Sequence, residues 1–141
     1  MRIEPLKTEH FATISPWFED AETQRRLGGF YPLQEQLQSL ISDPDKHAWL
    51  LWQEEMPVGL IELEKEKNTA HVLILVAPDK RGQGLGHKLV TVLPPLARKM
   101  GTQTLRACVA TSGVASRRCF LAAGYAEQGE EDGFVCYDLS V

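Results

Sequence analysis

The sequence predicts an α+β fold with a mixed sheet, in the element order βααβββαβαββ. Three observations carry that expectation. Val72-Leu73-Ile74-Leu75-Val76, closed by Pro78, is a β-branched and leucine run of the kind that forms a buried strand. Leu85, Leu89, Leu93, Leu96 and Met100 recur every three or four residues and share one helical face. Strand-like runs on both sides of this region are separated by short polar turns, which reads as hairpins.

The elements follow in order. Arg2 to Leu6 alternates as an edge strand, and Thr8-Glu9 starts a helix carrying Phe11, Ile14 and Phe18. Pro16 should bend or shorten it. A short helix over Ala21 to Leu27 is expected to end at Gly28-Gly29. Pro32 suits the first turn of a helix from Leu33 to Ile41, where Leu33, Leu37, Leu40 and Ile41 align. Strands His47 to Gln53 and Val58 to Leu63 turn at Glu54-Glu55-Met56-Pro57, and a second turn near Lys67-Asn68 leads into Ala70 to Val76. The main helix stops at Gly101, with Pro94-Pro95 breaking or kinking it near Leu93. Leu105 to Val109 is a strand and Gly113 to Ala123 a helix ending at Gly124. Tyr125 to Glu127 and Phe134 to Leu139 make the last hairpin.

At 141 residues, with 43% hydrophobic and 24% charged residues, the chain is expected to be one globular domain, 1–141. Its apolar runs are too short to span a bilayer, and Met1 to Leu6 has no signal-peptide core. Three cysteines, Cys108, Cys119 and Cys136, have no metal-ligand spacing; reduced thiols, Cys108 and Cys136 buried, are expected, and a cytoplasmic location with them. No metal is implied. Charge is divided. Asp79 to Arg118 holds one acid against eight bases, whereas Glu9 to Asp45 holds seven acids against Arg25 and Arg26. A basic half suits a polyphosphate ligand and an acidic half a cationic acceptor. A pI near 5.6 and the lack of an aromatic-interleaved basic stripe argue against nucleic acid.

Between strand and helix lies Arg81-Gly82-Gln83-Gly84-Leu85-Gly86. Such a turn leaves the first helical N–H groups bare and faces the positive end of the helix dipole, a site for phosphate. Gly86-His87-Lys88-Leu89 lacks the Lys-Ser/Thr of a P-loop. The glycines at 82, 84 and 86 do not have dinucleotide-fold spacing, and Thr102-Gln103-Thr104-Leu105 supplies no ribose-binding acid.

Arg81-x-x-Gly84-x-Gly86, after Val76-Ala77-Pro78 and before a helix, instead resembles the acetyl-CoA pyrophosphate loop of the GCN5-related N-acetyltransferase (GNAT) superfamily. The element order matches that fold, whose mixed sheet is largely antiparallel. Ala115 to Tyr125 is similar to the family segment that ends in a helix and Gly-Phe, with Gly113 where the family often has asparagine and Phe120 where it often has its general-acid tyrosine. A phenyl ring has no proton to give, which leaves Cys119, Tyr137 or solvent as the donor, or no catalysis.

The resemblance implies direct transfer of acetyl from acetyl-CoA to an amine, driven mainly by positioning. Backbone amides of Gly82, Gln83, Gly84, Leu85 and Gly86 would hold the pyrophosphate, with Arg81 adding charge. The strand ending at Val76 would splay from its neighbour, with an N–H near Val76 facing the developing oxyanion. Ser116 and Phe120 would line the coenzyme arm. Candidate bases are His71, an imidazole at the start of the key strand, and Glu62 on the preceding strand. Each has a plainer reading, His71 as a strand-end residue and Glu62, alternating with Glu64, as part of a solvated face.

The opening, Leu6 to His10, Trp17 to Asp20 and Arg26 to Gly29, resembles the branch with aminoglycoside 6′-N-acetyltransferases and ribosomal-protein N-terminal acetyltransferases. Trp17, Phe30, Tyr31 and Trp49 are candidates for an acceptor cleft, or for core. A polyamine, an aminoglycoside or a peptide N-terminus would suit it. The alternative reading is a coenzyme-A-binding sensor or interaction module on the same fold. Monomer and homodimer both stay open.

Overall fold

The computed structural model describes residues 1–26, 30 and 32–141, with backbone alone at Arg26. The expected helix end at Gly28-Gly29 and the cleft candidate Tyr31 lie outside the described residues. Seven strands form one sheet: β1 (Arg2–Pro5), β2 (Lys46–Gln53), β3 (Met56–Glu66), β4 (Thr69–Val76), β5 (Thr104–Ala110), β6 (Ala126–Glu131) and β7 (Phe134–Ser140). Their spatial order is β1-β2-β3-β4-β5-β7-β6. Every pairing is antiparallel except β4 with β5.

The helices divide between the two faces. α1 (Phe11–Ile14), α2 (Ala21–Arg26) and α3 (Leu33–Ser42) serve one face, where Phe11, Ile14, Phe18, Leu37 and Leu40 pack on Leu50, Leu60 and Leu75. α4 (Leu85–Thr91), α5 (Leu93–Lys99) and α6 (Val114–Ala122) serve the other, with Leu89, Leu93 and Phe120 against Ile61, Leu63, Leu105 and Tyr137. Alternation along each strand sends successive side chains to opposite clusters, so β3 gives Leu60 to one and Ile61 to the other. At Gly59 a Cβ would stand 3.1 Å from the Leu89 methyl carbons, so α4 seats close against the sheet.

Prolines punctuate as their chemistry requires. Around Pro16 the first helix becomes a 3-10 turn over Thr8–His10, a single α turn, and a second 3-10 turn over Ser15–Glu19. Its start is made by the Lys7 N–H donating to His10 Nδ1 at 3.0 Å, not by the Thr8 hydroxyl. Pro94-Pro95 split the long helix into α4 and α5 at Val92. The last hairpin is longer than expected because Asp132 and Gly133 both have positive φ, 54° and 81°, and form its tight turn.

The cysteines depart from expectation. Cys108 and Cys136 are direct cross-strand partners in β5 and β7 and form a disulfide; Cys119 alone has a free thiol. Cys108 is exposed, because its side chain points to the face of β5 and β7 opposite Leu105, Ala107 and Tyr137, which pack under α6. Register across distant strands brings the two sulfurs together, and local sequence does not reveal register.

Candidate functional site

The parallel seam of the sheet is incomplete. β4 and β5 pair only at Thr69↔Thr104, Ala70↔Leu105 and His71↔Arg106, although β4 continues to Val76 and β5 to Ala110. Past that point each strand stays with its outer neighbour, β4 with β3 as far as Val76↔Gly59 and β5 with β7 as far as Ala110↔Phe134. The two pairs diverge and leave a slot. Ala77 N–H donates to Val58 O and Thr111 N–H to Gly133 O, each at 2.9 Å and each away from the slot. Backbone groups alternate sides along a strand, so those of Ile74 and Val76 on one wall, and of Cys108 and Ala110 on the other, face the gap. Unpaired backbone groups call for a partner, and an extended ligand carrying amides can lie between the strands and satisfy them.

At the open end of β4 the chain makes a 3-10 turn over Pro78–Lys80 and enters the glycine loop. Gly82 and Gly84 hold φ of 77° and 78°, the left-handed region, and a Cβ at either would meet nothing within 4 Å. Backbone conformation therefore demands glycine there, while the space above stays open. Gly84 is also the N-cap of α4. A cavity of about 440 Å³ lies over the loop, bounded by Val76, Gly82, Gly84, Gly86 and Ala115, among others. A second, of about 150 Å³, occupies the slot between Leu73, Val109 and Phe120. Ile74 and Ser116 line both cavities, so loop and slot form one groove.

Most expected binding residues border this groove. Val76, Arg81, Gly82, Gly84, Leu85, Gly86 and Ser116 line the loop cavity, and Phe120 lines the slot. Gln83 belongs to the loop but not to the cavity wall. Arg81 lines the cavity and also faces α2. Its guanidinium pairs with Asp20 at 2.9 Å and Glu22 at 3.1 Å, and donates to the Thr23 hydroxyl at 2.9 Å. Its charge is thus already matched by α2, and its hydrogen bond holds the Asp20 carboxyl below the usual range. The loop's amides remain available to an anion, and Lys80 stands on the same cavity wall.

The two candidate bases separate. His71 forms the last β4–β5 rung, with Nε2 3.4 Å from Glu66 Oε1, beside a depression that Asp45 and Glu64 also border. Five steps along the strand, about 16 Å, separate it from Val76. It does not line the groove. Glu62 is not on a solvated face: it is 7% exposed, whereas Glu64 is exposed. Its cross-strand partners are Ala48 and Leu73, and Leu73 borders the slot. Burial pushes its carboxyl pKa up, Lys46 opposes the shift, and Glu64 and Asp43 reinforce it. The predicted alternation was right; the cover on that face was invisible locally.

Phe120 is buried against Tyr125 and Tyr137, with centroids at 5.0 and 6.3 Å. Tyr137 does not line the groove; its hydroxyl accepts from Arg117 Nε at 3.0 Å. Cys119 lines the loop cavity, and burial raises its thiol pKa. Trp17 and Phe30 are buried in the cluster under α1–α3, and Trp49 packs against the other cluster. None of the three lines the groove. Sequence reasoning missed Lys80, His87 and Glu22 on the cavity wall. Lys80 and His87 adjoin the glycine loop, and that adjacency was the available signal; for Glu22, 60 residues away in sequence, there was none.

A glycine-loop cradle opening into a slot between splayed parallel strands defines a coenzyme-dependent acyltransferase architecture. Residues 11–125 match the acetyltransferase (GNAT) family, and the chain belongs to this family of acetyl-CoA-dependent N-acetyltransferases. It is 23% identical over 137 residues to an uncharacterized N-acetyltransferase, YfmK, of Bacillus subtilis (strain 168), covering 95% of this chain and 93% of that one. Its fold is similar to spermidine N-acetyltransferase from Vibrio cholerae in complex with CoA and spermine, with TM-score 0.83 and 15% identity over 99% of this chain and 94% of that one. It is also similar to aminoglycoside acetyltransferase AAC(6')-Ib in complex with coenzyme A, with TM-score 0.81 and 16% identity over 98% and 93% of the two chains. Among the described residues no helix is long and apolar enough to cross a membrane.

Proposed function

We propose that this enzyme, acting as one domain, acetylates a cationic amine held against the α1–α3 face of the slot, with acetyl-CoA entering from the α4–α6 face. The observation that carries this reading is the single groove joining the glycine loop to the unpaired edges of β4 and β5. The pyrophosphate rests on the amides of Gly82 to Gly86. The pantetheine arm runs past Ser116 and bonds the free backbone groups of Ile74 and Val76 as an added strand would. An N–H of that edge near Val76, that of Ile74 in our reading, faces the thioester oxygen and stabilises the charge that builds there.

Glu62 is the group that takes the amine's proton, through water where the distance requires it. Two features support the role. Its carboxyl lies one strand from the slot wall, and burial makes it a stronger base than an exposed carboxylate. Acids nearby, Asp43 and Glu64, favour a cationic substrate on this side. The spermine bound by the Vibrio cholerae relative and the aminoglycoside acetyltransferase fold point to polyamine or aminoglycoside-like acceptors; a peptide N-terminus has the same charge. The departing thiolate takes its proton from solvent or Cys119, since Phe120 has none.

Calorimetry with acetyl-CoA and a thiol-release assay across polyamines, aminoglycosides and short peptides test the proposal together. Saturable heat and release with at least one cationic amine are expected. Heat without release from any amine would leave a coenzyme-binding module and end the catalytic assignment.

A further inference from the structure

We propose that Cys108 is a site of covalent attachment for coenzyme A itself, formed when the free thiol of the coenzyme opens the Cys108–Cys136 disulfide. The inference rests on the reading that the pantetheine arm occupies the slot. Cys108 stands two residues beyond Arg106, the last β5 residue paired with β4, and lines the slot opposite Leu73. It is exposed, while Cys136 is only partly so and does not line the slot. Arg106 and Asp138, the next pair on the same face, are bound to each other at 2.8 and 2.9 Å. Cys119, the remaining cysteine, borders the loop cavity as a thiol and offers no disulfide to attack.

Each turnover releases a thiol in this slot. Its thiolate attacks Cys108 Sγ, a new S–S bond forms to the coenzyme, the Cys108–Cys136 bond breaks, and Cys136 leaves as a thiolate that takes a proton from water. The product is a coenzyme–Cys108 mixed disulfide and a free Cys136 thiol. The protein disulfide is the oxidant, so no other is needed. Acetyl-CoA cannot react, because its sulfur is acylated. The tethered coenzyme occupies the slot and excludes acetyl-CoA, so a high ratio of free coenzyme to its acetyl ester switches the enzyme off until a reductant removes the adduct. Binding at the glycine loop raises the effective concentration of this one thiol, which selects it over others of equal reactivity.

The test uses the full chain purified without reductant, thiol counting, intact-mass measurement and peptide mapping. Before treatment one free thiol is expected, at Cys119. Coenzyme A should add its whole mass once, on Cys108, at least tenfold faster than glutathione at equal concentration. Acetyl-CoA should add nothing, and Cys136→Ser, checked for folding by circular dichroism, should form no adduct with the coenzyme thiol. Three free thiols at the outset, attachment at Cys119 or Cys136, or equal rates with glutathione would each overturn the proposal. If that happens while acetyl-CoA still gives calorimetric heat, the transferase reading stands alone. Absence of both heat and adduct removes both.

Discussion

The sheet has two halves built to different standards, and the reaction belongs at their seam. β2 to β4 pair over most of their lengths and lie between helices on both faces, so Leu50, Leu60, Ile61 and Leu63 are fully buried. β5 and β7 are covered on one face only, with Phe134 44% exposed, and every residue of the edge strand β6 is exposed. Three parallel rungs join the halves. A fully paired seam would bury its hydrogen bonds and leave no room for a ligand. The incomplete one trades pairing for a slot whose walls are themselves donors and acceptors. The edge strand β6 carries Glu127, Glu130 and Glu131, charges that discourage a further strand from adding there.

The sharpest way to test the seam is at its proposed base. Glu62→Gln should lower kcat about 10²-fold or more while leaving the acetyl-CoA KM unchanged, read by steady-state thiol release. The same variant has a stability signature. Burial raises the folded-state pKa of Glu62, so the native protein keeps a proton at pH values where the unfolded chain has lost it, and stability falls as pH rises through that window. Glutamine removes this slope: Glu62→Gln should be more stable than the parent above the window and equal to it, apart from packing, below. Denaturant titrations at a series of pH values read the difference.

Core substitutions compare the halves directly. Leu60→Ala, in the doubly covered half, should cost about 2–5 kcal/mol, whereas Phe134→Ala on the open face should cost less than about 1 kcal/mol. Equal losses in urea unfolding would mean that the open face is covered in solution. Gly84→Ala should cost about 1 kcal/mol of stability, because alanine strains at φ of 78°. Its larger effect is on binding: about tenfold weaker acetyl-CoA affinity by calorimetry, as the loop shifts its amides. The smallest effect is expected at His71. His71→Ala should leave the pH–rate profile unchanged, since the imidazole faces Glu66 and does not line the groove.

What the chain reveals before folding is what short stretches decide. The strand ending at Val76, the turn at Gly82 and Gly84, the breaks at Pro16 and Pro94-Pro95, and the helix leading to Gly124 all depend on neighbours within a few residues. Glycine and proline act through their own backbone torsions, so they are readable in place. Glu62, Arg81 and Cys108 are of another kind. Whether Glu62 is wet depends on which helices cover that face. The partner of Arg81 is set by an α2 that lies some 60 residues earlier in the chain. Cys108 meets Cys136 only through the register of β5 on β7, two strands separated in sequence by α6 and β6. In each case the deciding contact spans the sheet, and no window of sequence contains it.

Gly59 touches no ligand, yet it governs where one can rest. Because Leu89 sits 3.1 Å from the position a Cβ would take, a single methyl group there must displace that leucine by a few tenths of an ångström. Leu89 is fully buried one turn into α4, so whatever part of the displacement its side chain does not absorb passes to the segment whose first amides face the groove. The elevation of the anion cradle above the strands is thus written into a hydrogen atom on β3, and variation at this remote spot would retune coenzyme affinity without altering any residue that meets it.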